Sequence, residues 1–133
     1  MIVVDTNVIS YLFIQGDYTN YSEKVLRKDP EWIAPVLWRS EFRNVLSLYL
    51  RKHLLSIEEL LQTMREAEEL MKGGEFDVNS SQVLRLAGVS HCSAYDCEFI
   101  TLAQDMQVPL ITLDNNLLAK FPNETISLEI YGL

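Results

Sequence analysis

Ile2-Val-Val4 ends abruptly at Asp5, and no other stretch limits the fold of this chain so strongly. Three β-branched residues with no polar relief read as a short strand buried on both faces, the habit of an interior strand in a parallel sheet. Thr6-Asn7 then opens a helical pattern carried by Val8, Ile9, Leu12 and Phe13. A carboxylate is thereby delivered to the carboxyl end of an interior strand, where open α/β sheets place their ligands. Pro109-Leu-Ile-Thr-Leu-Asp114, followed by Asn115-Asn-Leu-Leu-Ala119, repeats the grammar near the other end. Two such strands predict two carboxylates converging on one sheet edge.

Between them, strands and helices alternate, which predicts an α/β class with a mainly parallel sheet of four to five strands. A short helix spans Val8 to Ile14, and an amphipathic one spans Tyr18 to Lys28 until Asp29-Pro30 stops it. Trp32-Ile-Ala34 reads as the second strand. Pro35 suits a first helical turn and opens the longest helical pattern, to His53, with Trp38, Phe42, Val45 or Leu46, and Tyr49 on its core face. Ser56-Ile-Glu-Glu59 is a capping box for the next helix, whose stripe is Ile57, Leu60, Leu61, Met64, Ala67 and Met71 and whose stop is Gly73-Gly74. These two helices predict an antiparallel helical-hairpin arm. Phe76-Asp-Val78 is a candidate third strand and Ser80 to Ala87 a short helix. Ser93 to Gln107 is a helix with a small-residue inner face. Asn115 to Lys120 is a short helix, and Thr125 to Ile130 a final edge strand. At 133 residues, with no repeats or linkers, the chain reads as one domain, 1-133.

No apolar run approaches a bilayer span, and no basic stretch precedes the first apolar run, so a soluble cytoplasmic protein is expected. Cys92 and Cys97 lack CxxC spacing and are expected to be reduced thiols. A net charge of −8 argues against a simple nucleic-acid-binding surface, which is usually basic.

Four acidic residues stand apart: Asp5, Glu41, Asp96 and Asp114. Singly, each has a structural explanation. Asp5 and Asp114 occupy N-cap positions. Asp96 answers Ser93 in a capping-box pattern. Glu41 sits on the flank of a helix near Arg39 and Arg43. Together, they would meet at one sheet edge. Four carboxylates in a partly buried cleft repel strongly unless a hard divalent cation such as Mg²⁺ or Mn²⁺ joins them. No His or Cys cluster competes.

Ile2-Val-Val-Asp5-Thr-Asn-Val8, Ser40-Glu41-Phe-Arg-Asn44-Val45, Tyr95-Asp96-Cys-Glu-Phe-Ile-Thr-Leu-Ala103 and Leu110-Ile-Thr112-Leu-Asp114 resemble, in order, the successive motifs of the PIN domain. The size and bare layout resemble the VapC toxins of VapBC toxin–antitoxin pairs. The resemblance implies a PIN-like α/β/α sandwich and a metal-dependent endoribonuclease using one or two Mg²⁺ or Mn²⁺ ions. It implies an acidic site of Asp5, Glu41, Asp96 and Asp114, with Asn7 and Thr112 as hydrogen-bonding supports. Asp5, Asp96 and Asp114 are then direct metal ligands, and Glu41 binds through water or orients the nucleophile. RNA substrate, an antitoxin and a homodimer are the implied partners. The low pI of 4.7 departs from an RNA-contacting surface. Asn115, Asn116 and Leu117 offer no further acid where some relatives carry one.

Tyr11, Phe13, Tyr18, Tyr21 and Val25 exceed what two short helices need for a core, so part of that surface is expected to bind a partner. Other readings remain open. A phosphorelay receiver domain is also a parallel α/β domain with a Mg²⁺ pocket, but Asp5 has no acidic neighbour and only Lys120 follows Asp114. A haloacid-dehalogenase-like phosphatase would need a second acid at Asn7. A catalytically silent PIN-like interaction module is the third.

Overall fold

The first strand, β1 (Ile2–Val4), is buried at every residue and occupies the centre of a five-stranded parallel sheet. The architecture is that of a computed structural model describing residues 1–133. The remaining strands are β2 (Trp32–Pro35), β3 (Glu75–Phe76), β4 (Leu110–Thr112) and β5 (Thr125–Ser127), in the spatial order β3-β2-β1-β4-β5. Ile2 is opposite Trp32 on one side of β1, and Val3 opposite Leu110 on the other. That register brings the ends of β1 and β4 side by side, as their matching sequence grammar requires.

Helices α1 (Thr6–Phe13), α2 (Thr19–Lys28), α3 (Trp38–Arg51), α4 (Ile57–Met71), α5 (Ser80–Ser90), α6 (Ala94–Met106), α7 (Asn115–Lys120) and α8 (Leu128–Tyr131) complete the α/β/α layering. None is long and apolar enough to cross a membrane. The sheet strands are near-continuous apolar runs because both faces are covered. Helix α6 is buried over Cys97 and Phe99 to Ala103, nearly all round, as befits a helix inside the fold. Its inner face is therefore larger than the expected small-residue stripe: Phe99 and Leu102 are buried, whereas Ala94 and Gln104 are exposed.

The helical hairpin of α3 and α4 forms with its capping box intact, Ser56 Oγ accepting from Glu59 N–H and Glu59 returning to Ser56 N–H. Only part of the α4 stripe faces the core. Leu60, Ala67 and Met71 are buried, while Ile57 and Leu61 are exposed along a groove of about 320 Å³ shared with Leu46 and Leu50. Gly73 ends the arm in the left-handed region at φ 82°. Gly74 is needed for a different reason: a Cβ there would lie 2.3 Å from the Trp32 carbonyl oxygen. Arg39 then ties the hairpin to β3, its guanidinium reaching Glu75 through Nε at 2.6 Å and Nη2 at 2.6 Å, and Glu68 through Nη1 at 2.7 Å.

Several boundaries differ from expectation. β3 covers Glu75 and Phe76, one residue earlier than Phe76 to Val78 and without Asp77 or Val78, because Ala34 and Pro35 pair only with Glu75 and Phe76. Pro35 does not open a helix; it ends β2, opposite Phe76. Helix α5 continues to Ser90 and ends at His91 in the left-handed region, rather than at Ala87. The last edge strand stops at Ser127, and Leu128 to Tyr131 is a turn of helix packed against α2, with Gly132 against Lys24 and Val25. This packing buries Val25, removing it from the expected partner surface. Tyr11 and Phe13 are half-buried, and the tilted stack of Tyr11, Tyr18 and Tyr21 leaves Tyr18 the most open.

Candidate functional site at the carboxyl edge of the sheet

Parallel strands bring their carboxyl ends to one edge, and four acidic side chains arrive there on four different elements. Asp5 follows β1. Asp114 follows β4. Glu41 lies in the first turn of α3, and Asp96 in the first turn of α6. Asp5, Glu41 and Asp96 are half-buried, and Asp114 is exposed.

Asp5 holds the N-cap position of α1 but makes no side-chain capping bond. Its Oδ2 instead accepts the Thr112 hydroxyl at 2.7 Å, and Thr112 Oγ1 in turn accepts Asp114 N–H at 3.0 Å. Because Thr112 Oγ1 accepts from a backbone donor, its own proton is directed to Asp5. Burial pushes the Asp5 carboxyl up to about 6, against the lowering effect of the Thr112 bond, and the Glu41 and Asp96 charges add to the rise. Glu41 is raised by burial and by Asp96, and its Oε1 accepts the Thr6 hydroxyl at 2.6 Å. Asp96 is raised by burial and then by Asp114. Charge thus acts from Glu41 and Asp96 on Asp5, from Asp96 on Glu41, and from Asp114 on Asp96.

Asp114 combines two roles. Its Oδ1 caps α7, accepting from Asn116 N–H at 2.9 Å and Leu117 N–H at 3.1 Å, while Oδ2 makes no protein hydrogen bond. At Asp96 the box is half made: Ser93 Oγ accepts Asp96 N–H at 3.0 Å, with no return bond from the carboxylate to the Ser93 N–H. Asn7 is exposed, makes no side-chain hydrogen bond and lines a separate surface hollow of about 260 Å³ with Tyr11, Tyr18 and Tyr49. Thr112 is fully buried beside Asp5.

Two participants escaped the sequence reading. Thr6 is buried and carries the Glu41 bond; counting back from Phe13 through Ile9 at helical spacing lands on it, which was the available signal. Glu98, one face round α6 from Asp96, has its carboxyl raised by burial and by Glu41. Nothing in its spacing marked it.

The chain matches the PIN domain family model over residues 2–123. It belongs to the PIN domain family. Over 126 residues this PIN domain is 29% identical to ribonuclease VapC3 of Pyrobaculum aerophilum, covering 91% of this chain and 95% of that relative. Its fold is similar to that of PAE2754 from Pyrobaculum aerophilum, at a TM-score of 0.72 and 20% identity over 98% of this chain and 92% of that one. It is also similar to a chain of a toxin–antitoxin complex from Klebsiella pneumoniae, at a TM-score of 0.70 and 17% identity over 96% and 98% of the two chains.

The donor set suits a hard divalent cation. It is all oxygen and anionic, and its burial and crowding are relieved by added positive charge. As the side chains stand, no three of them close into a ready coordination shell. Direct ligation therefore requires rotamer changes, or water between some carboxylates and the ion.

Proposed function

We propose that this PIN domain is a Mg²⁺- or Mn²⁺-dependent endoribonuclease, the toxin of a VapBC-type pair. Asp5, Asp96 and Asp114 are the metal ligands of this reading. Glu41 acts through water or orients the nucleophile. The observation that carries it is the Asp5 carboxyl, held by Thr112, crowded by Glu41 and Asp96 and raised to about 6. A fold with no use for charge there gains nothing by burying that group.

A cation held by Asp5, Asp96 and Asp114 would supply a water of lowered pKa and positive charge to offset the phosphorane-like transition state. The chain's own residues supply the rest. Thr112 fixes one Asp5 oxygen, and the α7 cap fixes Asp114 Oδ1, leaving each with one oxygen free of protein partners. Those free oxygens would face the cation once the carboxylates turn toward it or bind it through water. In this reading the Glu41 carboxylate aligns or deprotonates an attacking water. No histidine is available in the cleft to activate a ribose hydroxyl, so water is the nucleophile. Products should carry 5′-phosphate and 3′-hydroxyl ends, and EDTA should stop cleavage. A 2′,3′-cyclic phosphate formed in EDTA would refute the assignment.

The partners of this reading are RNA, an antitoxin and a second copy of the chain, acting in the cytoplasm. Asn7, exposed and close in sequence to Asp5, would contact substrate rather than support a carboxylate. One observation favours the silent interaction module instead: the carboxylates do not already form a closed shell. Thermal unfolding with Mn²⁺ separates the two. A ligand that binds only the folded state raises the midpoint with the logarithm of its concentration once saturating. Asn or Gln at the four acids should abolish most of that response, and an unchanged response in all four variants would leave the silent module standing.

A further inference from the structure

Thr6 has no structural need for its hydroxyl. It is the first residue of α1 and is 4% exposed. A buried hydroxyl carries a desolvation cost unless it finds a partner, and the one partner of Thr6 Oγ1 is Glu41 Oε1, at 2.6 Å. The backbone there is already provided for: Ser10 Oγ donates to the Thr6 carbonyl at 3.1 Å, and the helix starts without any side-chain cap. Valine has the same shape and would fill the position without that cost.

The pairing also has a counterpart. Thr112 donates to Asp5 Oδ2 from β4, and Thr6 donates to Glu41 Oε1 from α1. Each hydroxyl engages one oxygen of one carboxylate and leaves the other free of protein partners. Asp5 and Thr6 are consecutive residues, so one turn of chain fixes the place of Asp5 and the direction of Glu41, which comes from a different helix. Glu41 has no other hydrogen-bond donor, and Arg39 beside it is committed to Glu68 and Glu75. Without Thr6, the long Glu41 side chain would be free to swing toward solvent.

We infer that Thr6 is a positioning residue, whose hydroxyl aims the Glu41 carboxylate into the carboxylate cleft for the metal-dependent reaction. The inference rests on the nuclease reading of the same cleft. Groups that orient a metal site from outside its ligands typically cost 10–100-fold in metal affinity or activity when removed.

The test compares the full chain as wild type, Thr6→Val, Thr6→Ser and Glu41→Gln. Mn²⁺ binding is measured by calorimetry without RNA, and cleavage kinetics are measured separately. Thr6→Val should weaken Mn²⁺ binding or lower kcat by about 10-fold or more, with KM for RNA little changed. Thr6→Ser keeps the donor and should stay within a few-fold of wild type. If Thr6→Val does not fold, Thr6→Ala takes its place with the same expectation, since alanine is the better helix former. Val or Ala behaving as wild type would overturn the inference, and so would Ser falling as far as Val, which would assign the role to packing. If wild type binds Mn²⁺ and Glu41→Gln loses function while Val keeps it, this inference alone falls. If wild type neither binds Mn²⁺ nor cleaves RNA, the nuclease reading falls and takes the inference with it.

Discussion

Replacing Asp5 by Asn should make the metal-free protein more stable at neutral pH, although it removes a proposed catalytic group. The sign follows from the raised carboxyl. Asp5 ionises at 3.8 in an unfolded chain and at about 6 in the folded one. Below 3.8 both states hold the proton and the effect vanishes. Between 3.8 and about 6 the folded state binds more protons, so stability falls as pH rises; above about 6 the penalty is complete. At 1.36 kcal/mol for each tenfold change in proton affinity, that penalty is about 3 kcal/mol. Asn carries no charge at any of these pH values, and its Oδ1 can still accept the Thr112 hydroxyl. Urea unfolding in EDTA should therefore place Asp5→Asn about 2–3 kcal/mol above wild type near pH 8. From about pH 5 to about pH 8, wild type should lose ~1.4 kcal/mol more than the variant. Saturating Mn²⁺ should reverse the order, because only wild type gains binding energy. If the two pH curves ran parallel, or the variant were no more stable near pH 8, the buried, crowded state of Asp5 would be wrong.

Other expectations test separate parts of the molecule. Asp114→Ala should lose the α7 cap and about 1 kcal/mol by urea unfolding, whereas Asp114→Asn should keep nearly all of that stability; both should lose cleavage of a labelled RNA. Arg39→Ala should cost about 1–3 kcal/mol by leaving the half-buried Glu75 without its charged partner, while kcat of the folded fraction stays at the wild-type value. Gly74→Ala should cost more than about 2 kcal/mol, because its Cβ would meet the Trp32 carbonyl oxygen at 2.3 Å and push β3 off the sheet; the loss should appear in the thermal midpoint.

The parts of the fold that were legible in the sequence are those where one local rule decides. β1 and β4 could be read because a strand buried on both faces must be apolar throughout, and the Ser56 box because both of its partners lie within one turn. The errors came where a neighbour decides. Pro35 satisfies the rule for a first helical turn, yet it ends a strand. Ala34 and Val36 donate toward β3, to Gly74 and Phe76, so the missing Pro35 N–H would have faced the β1 side, where the ladder has already ended at Val3 and Ile33. Thr125 to Ile130 alternates like a strand, but β4 offers it only Leu110, Ile111 and Thr112 as partners. Past Ser127 the chain has nothing to pair with, and it turns into α8.

The site was legible to a different extent, because sequence rules assign residues whereas the chemistry is done by atoms. Capping and catalysis appeared as rival explanations of Asp114. The geometry makes them compatible, since one oxygen serves the helix and the other has no protein partner. Asp5 shows the reverse case. It occupies the cap position and its side chain does not cap: Val8 N–H bonds the Asp5 backbone carbonyl at 2.9 Å, and Oδ2 accepts from Thr112 on a strand 107 residues away in sequence. The choice is therefore made by the register of β1 against β4, which places Val4 opposite Ile111 and so brings Thr112 and Asp5 together at the edge. Thr6 depends on a different packing, that of α1 against α3, which brings its hydroxyl to Glu41 from 35 residues away, and no local sequence rule reports such a meeting.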